Sequence, residues 1–469
     1  MIPEAEQAMH QGSEQSVDPP AERSADPEAG SSMSAEPGPG EDGPASTGPI
    51  EDSSTVEQPF VMDRAEHPIS RRSIPEPVLK VLYRLHRSGY RAYLCGGSVR
   101  DLLMERTPKD FDIATDAHPG DVRRLFRNSR IIGRRFRLAH VIFQDNVVEV
   151  STFRREPERV EGQDLLVRDD NTFGTPGEDA RRRDFTINGL FYDIANFSVI
   201  DYVGGLDDLR EHLIRVIGAP DVRFREDPVR MLRAVEFAAR LDFEIEAETY
   251  DAILEHRTEI LKASPARVAE EILELLRRGW SRAAVELLAE TRLLEPLLPE
   301  LQTHLDKGEV ESFWKMLGVL DRTVQSGRKV SDPVLFSVLL LPHVISSIEV
   351  EAQSLEAKPR VGDMILFVRE LIHPIVQRFS FSAGMRHQTE QAIETLWRLF
   401  EPPTDRRSMW RFVFREPFDD GLALLELYSR SSGKYADVCR EWQAFAHRVR
   451  RSDDLVERPA KPRRRRRRR

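Results

Sequence analysis

The sequence predicts an α+β fold, with a small mixed sheet in an N-terminal head followed by an all-helical neck, body and tail. Three observations carry this. Short runs with strand character cluster early, at residues 93–95, 110–115 and 138–153. A glycine-bearing turn at 201–206, DYVGGL, closes that region. From 249 to 445 apolar residues recur at spacings of three and four, as in 268–276, 283–288 and 335–340, so helix follows helix; no fixed longer period marks a repeat.

The chain has 469 residues, 40% of them hydrophobic, which leaves room for several domains and a sizeable core. Its two cysteines, Cys95 and Cys439, are far apart in sequence, which argues against a disulfide framework and suits a reducing, cytoplasmic compartment. With no basic-then-apolar leader and no unbroken run of about 18 apolar residues, neither export nor a membrane partner is expected. The net charge of −10 is segregated: residues 1–60 hold thirteen acidic residues against one basic, Arg23, and the rest of the chain is +2. Lys461 and the arginines 463–469 place eight positive charges in the last nine residues, a candidate contact for a polyanion.

In chain order, residues 1–65 are rich in Pro, Gly, Ser, Ala and Glu and are predicted to be a disordered acidic extension. A helix follows, with Val78, Leu79, Val81, Leu82 and Leu85 as its apolar stripe, Pro75 and Pro77 at its entry and Gly89 as its stop. Residues 119–127 read as another helix. Two strands flank Gln144-Asp145-Asn146, and the second, VVEVSTF, sets Glu149 on the face opposite Val148 and Val150. Glu149 is then either a metal ligand or a solvated edge charge. Residues 154–177 read as a polar surface loop, and 178–188, EDARRRDFTIN, as either a solvated basic patch or a set of phosphate-binding forks. In 225–241, Asp227 is the expected N-cap and Pro228 the first helical residue. Val229, Leu232, Val235 and Phe237 should then face the core, with Arg230 and Arg233 on a polar face. The boundaries drawn are a head at 66–200, a neck at 201–280, a body at 281–450 and a basic tail at 451–469.

The chain is organised around residues 93–115, YLCGGSVRDLLMERTPKDFDIAT. An apolar run breaks at Gly96-Gly97 and continues as a helix, then a second run carries Asp110 and Asp112. If both aspartates lie on one strand they share a face, and a paired carboxylate suits a hard cation such as Mg²⁺. The glycine pair allows backbone N–H groups to approach a ligand closely, and a helix start with Arg100 just inside it favours an anion such as a triphosphate.

Gly96-Gly97-Ser98-Val99-Arg100-Asp101 and Lys109-Asp110-Phe111-Asp112 resemble the signature of the class II nucleotidyltransferases, the family of bacterial poly(A) polymerases and tRNA CCA-adding enzymes. The likeness continues through Arg181-Arg182-Arg183-Asp184-Phe185-Thr186-Ile187-Asn188 and through Arg225-Glu226-Asp227-Pro228-Val229-Arg230-Met231-Leu232-Arg233-Ala234. It implies a nucleotidyltransferase head that moves AMP from ATP to RNA 3′ ends, with Asp110 and Asp112 holding Mg²⁺ and Asp184 as the third catalytic acid; Glu149 is the geometric competitor. Gly96, Gly97, Arg100, Arg183, Arg230 and Arg233 would bind ATP, and the helical half with the arginine tail would bind RNA. Partners among RNA-degradation machinery or RNA chaperones stay open.

Within the family, residues 133–143, GRRFRLAHVIF, and 171–188, NTFGTPGEDARRRDFTIN, resemble the polymerase versions of those segments, and no histidine is followed directly by aspartate as an appended phosphohydrolase module would require. CCA addition to tRNA is the nearest alternative. A non-catalytic RNA-binding scaffold and a small-molecule phosphotransferase are the others.

Overall fold

Alternation in the head sequence is resolved into an eight-stranded mixed sheet. The structure is a computed structural model and describes residues 58–133, 137–144, 146–156, 172–308, 310–354, 361–401, 403 and 405–453. The acidic extension up to 57, the arginine tail and most of the loop expected at 154–177 lie outside the described residues. The strands are β1 (Phe60–Met62), β2 (Ala92–Cys95), β3 (Asp112–Thr115), β4 (Ser129–Ile132), β5 (Leu138–Phe143), β6 (Asn146–Thr152), β7 (Phe191–Asp193) and β8 (Ser198–Asp201). Their spatial order is β1-β8-β7-β2-β3-β6-β5-β4. Every neighbouring pair is antiparallel except β3 and β6, which run parallel.

Side chains alternate faces along each strand, so the sheet separates two cores. Leu94, Ile113, Val148, Val150, Tyr192 and Val199 pack with Val78, Val81 and Leu82 of α1 (Glu76–Arg87) and Val122 of α3 (Pro119–Leu125). Cys95, Ala114, Phe191 and Ile200 face the other way, with Phe153 and with Ala180 of α4 (Pro176–Arg181). Each fully buried aliphatic side chain contributes about 1.5–3 kcal/mol, so these two clusters hold the sheet rigid beneath whatever sits at its edge.

Ordered structure begins before the boundary drawn from composition. Phe60–Met62 pairs with β8, Phe60 opposite Asp201 and Met62 opposite Val199, and Met62 is buried in the head core. Three residues are too few for periodicity to register; what makes the strand is the open edge of β8. Cys95 and Cys439 are both free and buried, and burial pushes the Cys95 thiol up to about 11.

The glycine turn leads into α5 (Gly205–Glu211), α6 (Pro220–Glu226) and α7 (Val229–Leu241), with α2 (Gly97–Leu103) lying back in the head. Asp227 does not cap α7 as expected. Both its oxygens accept from Arg267 of the helix Pro265–Arg277, at 2.8 Å each, and Pro228 takes the N-cap position. Arg230 is buried rather than on a polar face.

Twelve further helices among the described residues run from Ala247–His256 to Ala436–Asp453 and share one apolar core with α7. Asp332–Glu351, within the helix Asp332–Ser354, is long and apolar enough on average to cross a membrane, with mean hydropathy 1.8. Ser337, Pro342 and His343 break any continuous apolar run but leave the average high. Of that window, 67% is buried among neighbouring helices, as for a core helix.

Candidate active site

The turn between β2 and α2 sets the geometry. Gly96 has φ +69°, a backbone region that side-chain-bearing residues rarely adopt, and a Cβ there would meet Arg183 Nη1 at 2.9 Å. The chain can therefore bend at this point only because it is glycine, and the space saved is filled by a guanidinium. Arg183 is held by Asp179, which accepts from Nε at 3.2 Å and Nη2 at 2.9 Å, and lies over the Phe191 ring at 5.2 Å.

Arg100 is positioned differently from the expectation that it faces an anion. It is 1% exposed and donates to Asp101 Oδ1 from Nε and Nη2, at 2.8 and 2.7 Å, and from Nη1 to Asn188 Oδ1. Its guanidinium lies over the Phe237 ring of α7 at 5.4 Å. Its donors are spent within the head, and only the contact with Phe237 reaches the neck, although part of it still lines the cavity described next.

Asp110 and Asp112 do not share a strand. Asp112 opens β3, whereas Asp110 lies in the loop before it, because β2 ends opposite Asp112 at Cys95 and turns away at Gly96, leaving Asp110 no partner. Both nevertheless line a cavity of about 860 Å³ together with Gly96, Gly97, Arg183 and Asp184. Asp112 is wetted by that cavity yet ringed by protein. Desolvation pushes its carboxyl up to about 6, reinforced by Glu149 and Asp110 and opposed by Arg183. Glu149 is the residue of β6 in direct register with Asp112, and its Oε1 lies 3.1 Å from Nε2 of His140 on β5.

Asp184 sits in an opposite electrostatic setting. Its Oδ1 lies 3.1 Å from Arg230 Nε and its Oδ2 2.7 Å from Arg233 Nε. Burial alone would raise its carboxyl, but Arg233 and Arg230 more than reverse that and hold it below the usual carboxylate range. Arg230 also donates to the Arg223 carbonyl at 3.0 Å, and Arg223 donates to the carbonyls of Arg182 and Arg183 at 2.8 and 2.9 Å. Helices α6 and α7 thus grip the RRRD segment and fix its orientation towards the cavity.

Eight arginines and one lysine line the cavity against five aspartates, so the walls suit a polyanion while Asp112 and Asp110 form one acidic pole. Arg106, Arg240 and Arg278 were not singled out in the sequence, because isolated charges at these positions read as solvated surface. Phe237 was read only as core. Its ring also carries three guanidiniums, those of Arg100, Arg233 and Arg240, at 5.4, 5.6 and 5.7 Å. The spacing 233, 237, 240 along one helix was a usable signal. Trp280 lines the same cavity, with its indole N–H buried and without a hydrogen-bond partner.

Among the described residues, the acidic and histidine group whose potential ligand atoms all lie within 4.8 Å of one another is Asp221, Glu255 and His256, outside the cavity lining. Asp110, Asp112 and Glu149 are spread more widely. Asp110 is 72% exposed, with its Oδ2 3.7 Å from Lys109 Nζ.

Residues 92–215 match the "Poly A polymerase head domain" family, and residues 242–305 match the "Probable RNA and SrmB- binding site of polymerase A". The chain is 45% identical over 291 residues to poly(A) polymerase I of Salmonella typhimurium, covering 60% of this chain and 63% of that protein. It is 45% identical over 294 residues to poly(A) polymerase I of Escherichia coli O157:H7, with the same coverage. To the CCA-adding enzyme of Bacillus subtilis it is 39% identical over 221 residues, 47% of this chain and 54% of that one. The matched region therefore spans just under two thirds of the length of these polymerases. The crystal structure of the Bacillus stearothermophilus CCA-adding enzyme in complex with CTP shares the fold, with TM-score 0.58 and 24% identity over 84% of this chain and 90% of that chain.

Proposed function

We propose that this chain, whose head belongs to the poly(A) polymerase head-domain family, extends RNA 3′ ends without a template by transferring AMP from ATP. The observation that carries the reading is Asp112, in register with Glu149 of the next strand, on the wall of a cavity that eight arginines line, beside a bend that only glycine can make. In the reaction the RNA 3′ oxygen attacks the α-phosphorus of ATP, the bond to the bridging oxygen breaks, and pyrophosphate leaves.

Asp110, Asp112 and Glu149 would hold Mg²⁺. The donor set fits: it is all oxygen, and it crowds enough negative charge to raise the Asp112 carboxyl to about 6, which a hard dication relieves. Bound there, the metal would activate the 3′ hydroxyl and offset charge developing on the phosphate. Arg183, anchored by Asp179, and Arg233 present forked donors to the triphosphate, while Gly96 and Gly97 let backbone N–H groups come close to it. Asp184 orients Arg230 and Arg233 rather than joining the metal set. The net effect is positioning and charge stabilisation, with little covalent chemistry on the protein.

Addition of CCA to tRNA is the second reading, favoured by the match to the Bacillus subtilis enzyme. One assay separates the two. Full-length protein with Mg²⁺ is given an unstructured RNA oligonucleotide, or a tRNA lacking its CCA end, with each nucleoside triphosphate in turn. A long ladder with ATP alone is expected; two C additions and one A on tRNA, then arrest, would overturn it.

A further inference from the structure

The helix Arg406–Val413 buries one apolar face and leaves aromatic side chains exposed on another. Phe412 and Val413 are buried, Phe412 with its ring centroid 5.6 Å from those of Phe418 and Trp442, and these contacts anchor the helix to the body. The opposite face carries Arg407, Trp410, Arg411 and Phe414, which share one side at spacings of three and four. Trp410 is 44% exposed and Phe414 40%, and their rings pair at 4.8 Å. Large aromatic side chains are rarely left in water on a helix that has an apolar face to bury them against.

The charges around this pair are also unusual. Arg406, Arg407, Arg411 and Arg415 are all exposed, and none lies within 4.0 Å of a carboxylate oxygen among the described residues, whereas Arg328, Arg369, Arg378 and Arg430 elsewhere in the body are each ion-paired. Arg415 lies over the Phe412 ring at 5.7 Å. Asp405, the nearest acid on the N-terminal side, caps the helix by accepting from Ser408 N at 2.8 Å.

We infer that Trp410 and Phe414, ringed by these arginines, form a stacking platform for single-stranded RNA upstream of the 3′ end. The inference rests on the RNA substrate proposed above and adds a second contact point for it. Base faces stack on aromatic rings with little sequence preference, while guanidiniums follow the phosphates. Neither of the other polyanionic surfaces fits as well. A duplex hides its base faces, and a lipid surface requires a broad apolar face, whereas here the apolar area is two rings interleaved with charge.

The test is equilibrium binding by the full-length protein, separate from catalysis, using unstructured oligonucleotides of about five and about thirty nucleotides and a duplex of similar length. W410A/F414A is expected to weaken the long single strand by about tenfold or more and to erase most of its advantage over the short one, with the duplex little changed. W410F, which keeps a π face, should recover much of the loss. R407Q and R411Q should each lower the salt slope for the long strand by about 0.7. Unchanged long-strand affinity in W410A/F414A, with an unchanged melting temperature, would overturn the inference. So would an equal loss on duplex, or a defect confined to self-association or to binding of anionic vesicles. If the wild-type protein shows no adenylation but the binding pattern holds, the function proposed above fails and this site stands.

Discussion

Asp112 and Glu149 are register partners on adjacent parallel strands, β3 and β6, with both side chains on the same face of the sheet. Asp184, reached through a different part of the chain, has each of its oxygens within ion-pair distance of an arginine. The two candidates for a third catalytic carboxylate are therefore physically unlike, and substitution separates them. Glu149→Gln should leave the melting temperature within about 1 °C and reduce adenylation by two orders of magnitude or more, since it removes charge only from the acidic pole. Asp184→Asn should instead destabilise the fold by about 1–3 kcal/mol, because Arg230 and Arg233 lose the carboxylate they share and the buried Arg230 keeps only its longer contact with Glu226. Thermal melting alongside single-turnover rates distinguishes them; a stable, inactive Asp184→Asn protein would return Asp184 to the metal set.

The Asp112 carboxyl, pushed up to about 6, makes metal affinity depend on pH. The acid must lose its proton to bind a cation, so Mn²⁺ or Mg²⁺ affinity measured calorimetrically should fall as pH drops through about 6. For stability the sign is the reverse. A folded-state pKa above the unfolded value means that the contribution from this group is present below about 3.8 and is lost as pH rises towards 6. At neutral pH, Asp112→Asn should therefore stabilise the metal-free protein by about 1 kcal/mol, a value discounted for the water reaching the carboxylate, while abolishing activity.

Gly96→Ala should cost about 1–2 kcal/mol, since the residue would be held at φ +69°, and its methyl would displace Arg183. The expected signature is a raised KM for ATP together with a lowered melting temperature. A compensating Arg183→Lys, with a more flexible stem, should recover part of the stability but little of the affinity.

Deleting residues 461–469 should weaken RNA binding mainly at moderate salt and flatten the dependence of log affinity on log salt, because the segment contributes eight charges without sequence readout. Addition of a single nucleotide to a short primer should persist. An unchanged salt slope would assign the arginine run another purpose.

The sequence by itself determined the local devices: the strand, glycine turn and helix at 92–103, the outward placement of Glu149 between Val148 and Val150, and the succession of helices after the turn at 201–206. These follow from periodicity and backbone chemistry, which act over a few residues. Tertiary structure alone decided that Glu149 lies beside Asp112, that Asp110 stops short of the strand, that Asp184 is claimed by two arginines, and that Phe237 gathers three guanidiniums. Arg230 shows the difference most clearly. In sequence it reads as a surface charge, and it is buried where an aspartate from a distant segment meets it, beside Glu226 four residues back on the chain. Register between strands and pairing between ions join residues far apart along the chain, and each depends on the partner that folding brings, so no local pattern of residues can encode them.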